Sequence, residues 1–167
     1  MGFAPRSVYN AGSMAGRRYV EPTAGDRIFN GAIAALARLG VGVYGARILA
    51  VRGRRTGAWR TVPVNVLDHA GGRYLVAPRG ETEWVRNLRA SGRGELRLGR
   101  RRESFRIAEI RDEDKAPLLR EYLRRWAFEV KRFFPELSPD APDATFRGVA
   151  GRYPVFRVEP ERAAGAS

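Results

Sequence analysis

Residues 53–63 of the chain read GRRTGAWRTVP, a glycine-bearing turn that is crowded with arginines and ends at a proline. The runs on either side, 46–52 ARILAVR and 59–67 WRTVPVNVL, are rich in β-branched and aromatic residues, which is typical of strands. Two such runs joined by a short turn with glycine predict a β-hairpin. Arginines on one tight turn repel one another. The turn is therefore either a solvated hairpin tip or the binding site of a strongly anionic ligand.

Further strand-like runs follow this hairpin along the chain. Residues 73–78, RYLVAP, come after the turn DHAGG, and a second hairpin is predicted from GELRLG and ESFRIAEI, turning at GRRR. A last strand is predicted over 153–158, YPVFRV. Five or six antiparallel strands favour closure into a small barrel, because closure removes the unpaired edges of the sheet.

Apolar residues at helical spacing predict helices over 26–39 and 112–134. Thr82 as a possible cap, with acidic residues in the first turn, predicts a short helix over 81–90. Pro117 lies one turn into the helix over 112–134, so its regular part is expected to begin there. A loop rich in proline and aspartate is expected over 135–143. Together with the strands, these helices predict an α+β fold in which helices flank an antiparallel barrel.

The length of 167 residues suits one domain. We place that domain at 26–160, after an N-terminal extension over 1–25 and before a frayed tail over 161–167. The chain has no cysteine and one histidine, His69, in a predicted turn, which excludes zinc–thiolate sites, thiol nucleophiles and a histidine-rich metal site, so no metal is expected. No secretory signal is recognised, and a cytoplasmic location is expected.

The charge of the chain is strongly basic and unevenly distributed. The formal net charge is +13, and residues 46–106 alone hold 15 arginines against 5 acidic residues. Such a concentration predicts an anionic partner: nucleic acid, an acidic membrane, or a ligand with phosphate or carboxylate groups. Only two of the 31 basic residues are lysines, a bias that a GC-rich genome also produces, but that bias does not explain the clustering.

The order of motifs from residue 46 onwards is specific. A strand is followed by GRRTG, by Arg60 and Pro63 three residues apart, by a second strand, by GGRYLVAPRG and by EWVRNLR. This order resembles the deazaflavin-dependent nitroreductase and quinone reductase family, whose members are split β-barrel, FMN-binding-like oxidoreductases that use coenzyme F420. The resemblance covers roughly 46–110 and, more loosely, the closing strand YPVFRVEP.

The resemblance implies a cofactor with a phosphodiester and a poly-glutamate tail, an oligo-anion that suits the planar, permanently charged donors of arginine. The implied cofactor-binding residues are Arg54, Arg55, Thr56, Gly57, Arg60, Pro63, Val64, Ala77, Pro78, Arg79, Trp84 and Asn87. By the family pattern, the turn and Arg60 hold the phosphate and tail carboxylates. Pro63 and Val64 line the ring edge, and Trp84 and Asn87 close the site.

The resemblance also implies the reaction, a hydride transfer from the reduced deazaflavin to a quinone, nitroaromatic or activated enone, with no obligatory acid–base residue. The substrate side departs from the family pattern, because Asn65, Pro78 and Phe133–Phe134 stand where well-known members carry hydroxyl groups. We therefore expect a more apolar acceptor pocket. Its predicted residues are Asn65, Tyr122, Trp126, Phe133 and Phe134.

Three alternatives remain open on the sequence alone. An FMN-binding split barrel needs only one phosphate site, which the long basic stripe exceeds. A basic nucleic-acid-binding β-barrel would carry more exposed aromatics than Trp59 and Tyr74. Peripheral contact of residues 26–51 with an acidic membrane is compatible with quinone reduction. The expected partner is a small-molecule acceptor such as a quinone rather than nucleic acid, and the expected state is a monomer or weak homodimer.

Several of these residues also have simpler interpretations. Arg54 and Arg55 resemble solvated turn residues, and Asn87 an ordinary surface residue. Trp84 resembles a core residue, and Pro63 a marker of a strand edge or bulge. The arginines at 100–102 are expected on a solvated hairpin tip. Only the order of the motifs favours a binding site over these interpretations.

Overall fold

The computed structural model describes residues 45–161, which form an antiparallel barrel of six strands. The strands are β1 Ala46–Arg52, β2 Trp59–His69, β3 Gly72–Val76, β4 Arg93–Leu98, β5 Arg101–Glu109 and β6 Val155–Pro160. They follow the order β1-β2-β3-β6-β5-β4 around the barrel, and β4 pairs with β1 to close it. The predicted antiparallel barrel is confirmed. The predictions for 1–25 and 26–39 and, apart from Glu161, for 161–167 lie outside the described residues.

Three α-helices flank the barrel within the described residues: α1 Glu83–Ser91, α2 Ala116–Val130 and α3 Asp143–Val149. The single long helix predicted over 112–134 is wrong in its extent, since 3-10 turns at Asp112–Asp114 and Lys131–Phe133 precede and follow α2. Proline in the first turn of α2 fits its start there, because the missing N–H is not needed at that position. Helix α3 was not predicted, and it follows the expected loop directly.

Two further boundaries differ from the sequence prediction. The third strand ends at Val76 rather than residue 78, although the amide of Ala77 still donates to the Pro154 carbonyl at 2.9 Å. The second hairpin turns more tightly than expected. Arg101 and Arg102 already belong to β5 and pair with Leu98 and Arg97, so the expected tip of three arginines is wrong.

The apolar side chains form two main clusters, one inside the barrel and one outside it. Inside lie Leu49, Leu75, Phe105 and Phe156, all with no exposed surface. The outer cluster lies under α2 and α3 and contains Leu119, Leu123, Trp126, Phe134 and Phe146. Burial of these large side chains stabilises the fold by roughly 1.5–3 kcal/mol for each residue. The barrel is therefore held both by its own interior and by the helices packed on one side.

Strand β2 connects the two clusters and positions the cavity described below. Val62 and Val64 pack against the interior cluster, whereas Leu67 packs in the outer one. Strand β2 is paired along its length with β1, from Trp59 opposite Arg52 to Asn65 opposite Ala46. Residues 60 and 65 are therefore separated by about 17 Å along one rigid strand.

Candidate functional site

A cavity of about 640 Å³ opens beside the first half of β2. Its wall comes from the turn between β1 and β2, from β2 itself, from the segment after β3, from α1, and from the end of α2 with the turn that follows it. The cavity thus spans from the arginine-rich turn, through the middle of β2, to the helix packed outside the barrel. Its lining is apolar in the middle and charged where the turn and the helices contribute.

Arg54 joins the arginine-rich turn to α1. The Asn87 side-chain oxygen accepts hydrogen bonds from the backbone amide of Arg54 at 3.1 Å and from its Nη1 at 3.0 Å. The same Nη1 donates to Glu83 Oε2 at 2.6 Å. This contact holds the pKa of the Glu83 carboxyl below its usual range. Arg54 and Asn87 are therefore fixed by each other, and they set the position of the turn.

Two other arginines of this end have no such partner. Within residues 45–161, the side chains of Arg55 and Arg60 make no hydrogen bond or ion pair, although both line the cavity. The amides of Gly53 and Gly57 donate within the turn, at 2.8 Å each, whereas those of Arg55 and Thr56 have no acceptor among the described residues. This end of the cavity therefore offers two guanidinium groups and two backbone donors to an anion.

Thr82 adds a further unused donor at the same end. It lies at the start of α1 and lines the cavity, and its Oγ1 is buried with no hydrogen-bond partner in the part of the chain described. A buried hydroxyl without a partner costs free energy. A bound ligand that accepts from Thr82 would remove that cost.

The far end of the cavity is formed by α2 and the middle of β2. Asn65 Nδ2 donates to Glu129 Oε2 at 3.2 Å. Burial raises the pKa of the Glu129 carboxyl, with the Asn65 hydrogen bond acting in the opposite sense. Burial and the nearby Glu129 charge raise the pKa of Tyr122 well above its usual value. Both side chains therefore hold their protons more tightly than they would in water.

Phe133 lies beside this cluster with two guanidinium groups over its ring. The Cζ atoms of Arg79 and Arg132 each lie 4.7 Å from the ring centroid, a distance at which cation–π attraction operates. All three residues line the cavity. They form an aromatic and cationic part of the cavity wall.

The structure brings most of the predicted residues to this one cavity. The wall includes Arg54, Arg55, Thr56, Arg60, Pro63, Val64, Ala77, Pro78, Arg79, Trp84, Asn87, Asn65, Tyr122 and Phe133. Three predicted residues lie elsewhere. Gly57 is at the turn, in a left-handed conformation with φ of 69°, and Trp126 and Phe134 are buried in the outer cluster.

Sequence reasoning missed Thr82, Glu83, Glu129 and Arg132, which also line the cavity. Helical spacing could have indicated that Glu129 lines the cavity, because Glu129 lies seven residues after Tyr122 and therefore on the same face of α2. Nothing in the spacing of the sequence indicates its contact with Asn65, which is 64 residues away.

No helix within residues 45–161 combines the length and the apolar character that crossing a membrane requires. No three carboxylate or histidine side chains in that range lie close enough together to hold a metal ion.

Comparison with known proteins agrees with this geometry. The model of the F420H(2)-dependent quinone reductase family matches residues 30–132 of the chain. A search of curated proteins finds no match.

Among solved structures, an F420-H2 dependent reductase, FDR-A, is similar with 17% identity and a TM-score of 0.50, over 69% of this chain and 94% of that one. A structure described as a domain-swapped dimer is 17% identical with a TM-score of 0.50, over 81% and 93% of the two chains. The protein Atu2129 of Agrobacterium tumefaciens, of unknown function, is 18% identical with a TM-score of 0.51, over 79% and 55%. These likenesses support the split-barrel fold. The chain belongs to the F420H(2)-dependent quinone reductase family and is an oxidoreductase that uses coenzyme F420.

Proposed function

We propose that this protein catalyses the reduction of a hydrophobic quinone by reduced coenzyme F420, with both molecules bound in the cavity beside β2. The observation that carries the proposal is that the chemical type of the lining side chains changes along this cavity. Unpartnered arginine side chains line one end, apolar side chains line the middle, and a protonatable cluster lines the other end. A ligand with an anionic tail and a neutral ring system fits that order.

The residues of the turn fit the phosphate and tail carboxylates of the coenzyme. Arg55 and Arg60 offer guanidinium groups that no described residue occupies, and the amides of Arg55 and Thr56 offer two further donors. Arg54 acts differently, because Glu83 and Asn87 already engage it. We propose that Arg54 positions the turn, whereas Arg55 and Arg60 bind the tail.

The middle of the cavity fits the ring system. Pro63, Val64 and Ala77 line it with apolar surface, and Trp84 stands on α1 at its side. When bound, the coenzyme supplies the hydride for the reaction. The apolar wall excludes water from the ring and orients it, while Thr82 Oγ1 offers a hydrogen bond at the start of α1.

The acceptor is proposed to lie towards Asn65, Tyr122 and Phe133. Tyr122 and Phe133 give this part of the cavity two aromatic rings, beside the polar side chains of Asn65 and Glu129. Trp126 and Phe134 support this surface from behind, since Tyr122 packs on them at ring-centroid distances of 4.9 and 6.3 Å. They are therefore proposed to shape the pocket without contacting the acceptor.

Replacing Arg55 by alanine is expected to weaken coenzyme F420 binding tenfold to a hundredfold. The variant loses a charge-assisted contact of roughly 1.5–3 kcal/mol, and the loss should shrink as added salt screens the contact in the parent protein. Fluorescence titration of both proteins with coenzyme F420 and with FMN measures the effect. The parent is expected to bind coenzyme F420 more tightly than FMN, since the arginine-lined end extends beyond one phosphate.

Arg100→Ala is the matched control, because it removes the same charge from an exposed hairpin turn away from the cavity. It should leave coenzyme affinity unchanged. An equal loss of coenzyme affinity in both variants would show that the effect comes from the net charge, and it would contradict the role of Arg55. Preference for FMN would contradict the deazaflavin site, and binding of an oligonucleotide without binding of coenzyme would favour the nucleic-acid alternative.

Hydrophobic quinones are expected to be better acceptors than small polar nitro compounds. The rings of Tyr122 and Phe133 offer apolar contact to a quinone ring and its alkyl chain, and a small nitroimidazole can use less of that contact. Steady-state values of kcat/KM with a menaquinone analogue and a nitroimidazole compare the two classes. A clear preference for the nitroimidazole would contradict the apolar acceptor pocket.

Two further proposals concern partners. A weak homodimer is proposed because one similar structure is described as a domain-swapped dimer. Peripheral contact with an acidic membrane is proposed from the basic charge and from residues 26–51, most of which lie outside the described part. Light scattering across a range of concentrations tests the first. Sedimentation with neutral and anionic vesicles tests the second.

A further inference from the structure

The cavity wall carries two carboxylates in opposite surroundings. Glu83 is exposed and held by Arg54 at 2.6 Å and by Arg86 at 3.1 Å, which favours its charged form. Glu129 is half-buried, and no described cation forms an ion pair with it. When the surroundings of two carboxyl groups lower the pKa of one and raise that of the other, the first group serves as an anion and the second can donate a proton.

The position of Glu129 is fixed from two sides. Its backbone is in the last turn of α2, and its Oε2 accepts a hydrogen bond from Asn65 on the rigid strand β2. The other carboxyl oxygen, Oε1, has no hydrogen-bond partner among residues 45–161. The side chain lines the cavity beside the proposed acceptor pocket and remains in contact with solvent. Glu129 can therefore present a proton to the cavity and regain one from water.

The other charged and titratable groups around Glu129 do not titrate in the same range. Tyr122, on the same helix, has a pKa raised above its usual value, so it stays neutral at ordinary pH. Arg132 from the following turn and Arg79 from the segment after β3 line the same cavity and remain charged, with their guanidinium groups over Phe133. Among these described groups, the Glu129 carboxyl is therefore the acid that can give up its proton at ordinary pH.

We propose that Glu129 is the proton donor of the reaction and that Asn65 is the residue that positions its carboxyl group. This inference rests on the proposed quinone reduction. A quinone that accepts a hydride, with its two electrons, becomes a hydroquinone monoanion. The proton of the Glu129 carboxyl then passes to the anionic oxygen and gives the neutral hydroquinone, and the Glu129 carboxylate regains a proton from water.

Glu129→Gln tests the proposal, since it keeps the shape of the side chain and removes its proton. At pH below the Glu129 pKa, kcat with a menaquinone analogue is expected to fall about a hundredfold, the lower limit for general acid catalysis, because water in the open cavity still supplies protons. In the parent, kcat should decrease as pH rises through that pKa. The variant should lack this decrease, and the kcat values of parent and variant should converge at high pH.

Matched variants separate proton donation from support of the fold. Glu121→Gln alters another carboxyl group of α2, paired with Arg125 at 3.0 Å and absent from the cavity wall, and should keep the parent profile. Glu129→Asp retains a carboxyl group and should recover part of the rate together with the pH step. Coenzyme affinity, measured by fluorescence, should be unchanged in Glu129→Gln.

A second readout does not depend on turnover. In protein labelled with ¹³C at the glutamate carboxyl carbon, the resonance that disappears in Glu129→Gln should titrate above the usual glutamate value of about 4.3. A Glu129 midpoint at or below that value, or the same pH profile in parent and Glu129→Gln, would overturn the proposal. If the parent binds coenzyme F420 but does not reduce the quinone, the proposed function fails and the role of Glu129 with it.

Discussion

Phe156→Ala is expected to lower the free energy of unfolding by about 3–5 kcal/mol, the usual cost of emptying a large aromatic site in a closed core. Phe156 has no exposed surface and lies on β6 inside the barrel. Its ring meets Trp84 edge to face, at 6.1 Å between centroids. Urea denaturation followed by circular dichroism measures the change.

Phe156→Leu is the matched control, because it keeps most of the apolar volume and should cost only about 1–1.5 kcal/mol. Since Trp84 lines the cavity, the alanine variant should also weaken coenzyme binding more than the leucine variant does. A cost below about 1 kcal/mol for alanine would show that the barrel interior is not packed around Phe156.

Arg89→Leu is expected to destabilise the protein by about 3 kcal/mol. Arg89 on α1 donates from Nη1 to Glu81 at 2.7 Å and from Nη2 to Glu109 of β5 at 2.6 Å. Glu81 is only 7% exposed, so the variant removes a cation that is ion-paired with a buried carboxylate, and breaking such a pair is strongly destabilising. Thermal and urea unfolding measure the difference from the parent.

Two control variants separate the buried Arg89–Glu81 contact from the more exposed Arg89–Glu109 contact. Glu109→Gln removes the more exposed partner and should cost no more than about 1 kcal/mol. The double variant Arg89→Leu with Glu81→Leu should recover much of the stability, since apolar side chains replace both charges. Equal costs for Arg89→Leu and Glu109→Gln would contradict a special role for the buried contact.

The barrel could be predicted from the sequence because its signals are local. The hairpin of β1 and β2 was recognised from two strand-like runs around one turn, and Ala46–Arg52 agrees at both ends. Helix α1 was predicted from Thr82 as a possible cap and from the acidic residues near its start. In each case the residues that specify the element are neighbours in the chain.

The errors arise where distant residues decide the structure. Helix α3 has one fully buried side chain, Phe146, so its seven residues show no apolar period. The family pattern predicts Phe134, with Trp126 nearby, for the acceptor pocket, but neither residue lines the cavity. The backbone of Trp126 departs from helical geometry, with φ of −125° and ψ of 24°, and both rings pack in the outer cluster.

The strand order has a consequence for synthesis of the chain on the ribosome. Strand β6 is inserted between β3 and β5, so the ring of hydrogen bonds cannot close before residues 155–160 have left the exit tunnel. Until then the backbones of β3 and β5 present unpaired edges, which favour association with other nascent chains. Premature termination between β5 and β6 should therefore yield aggregation-prone products, and the nascent protein should benefit from chaperones until β6 is complete.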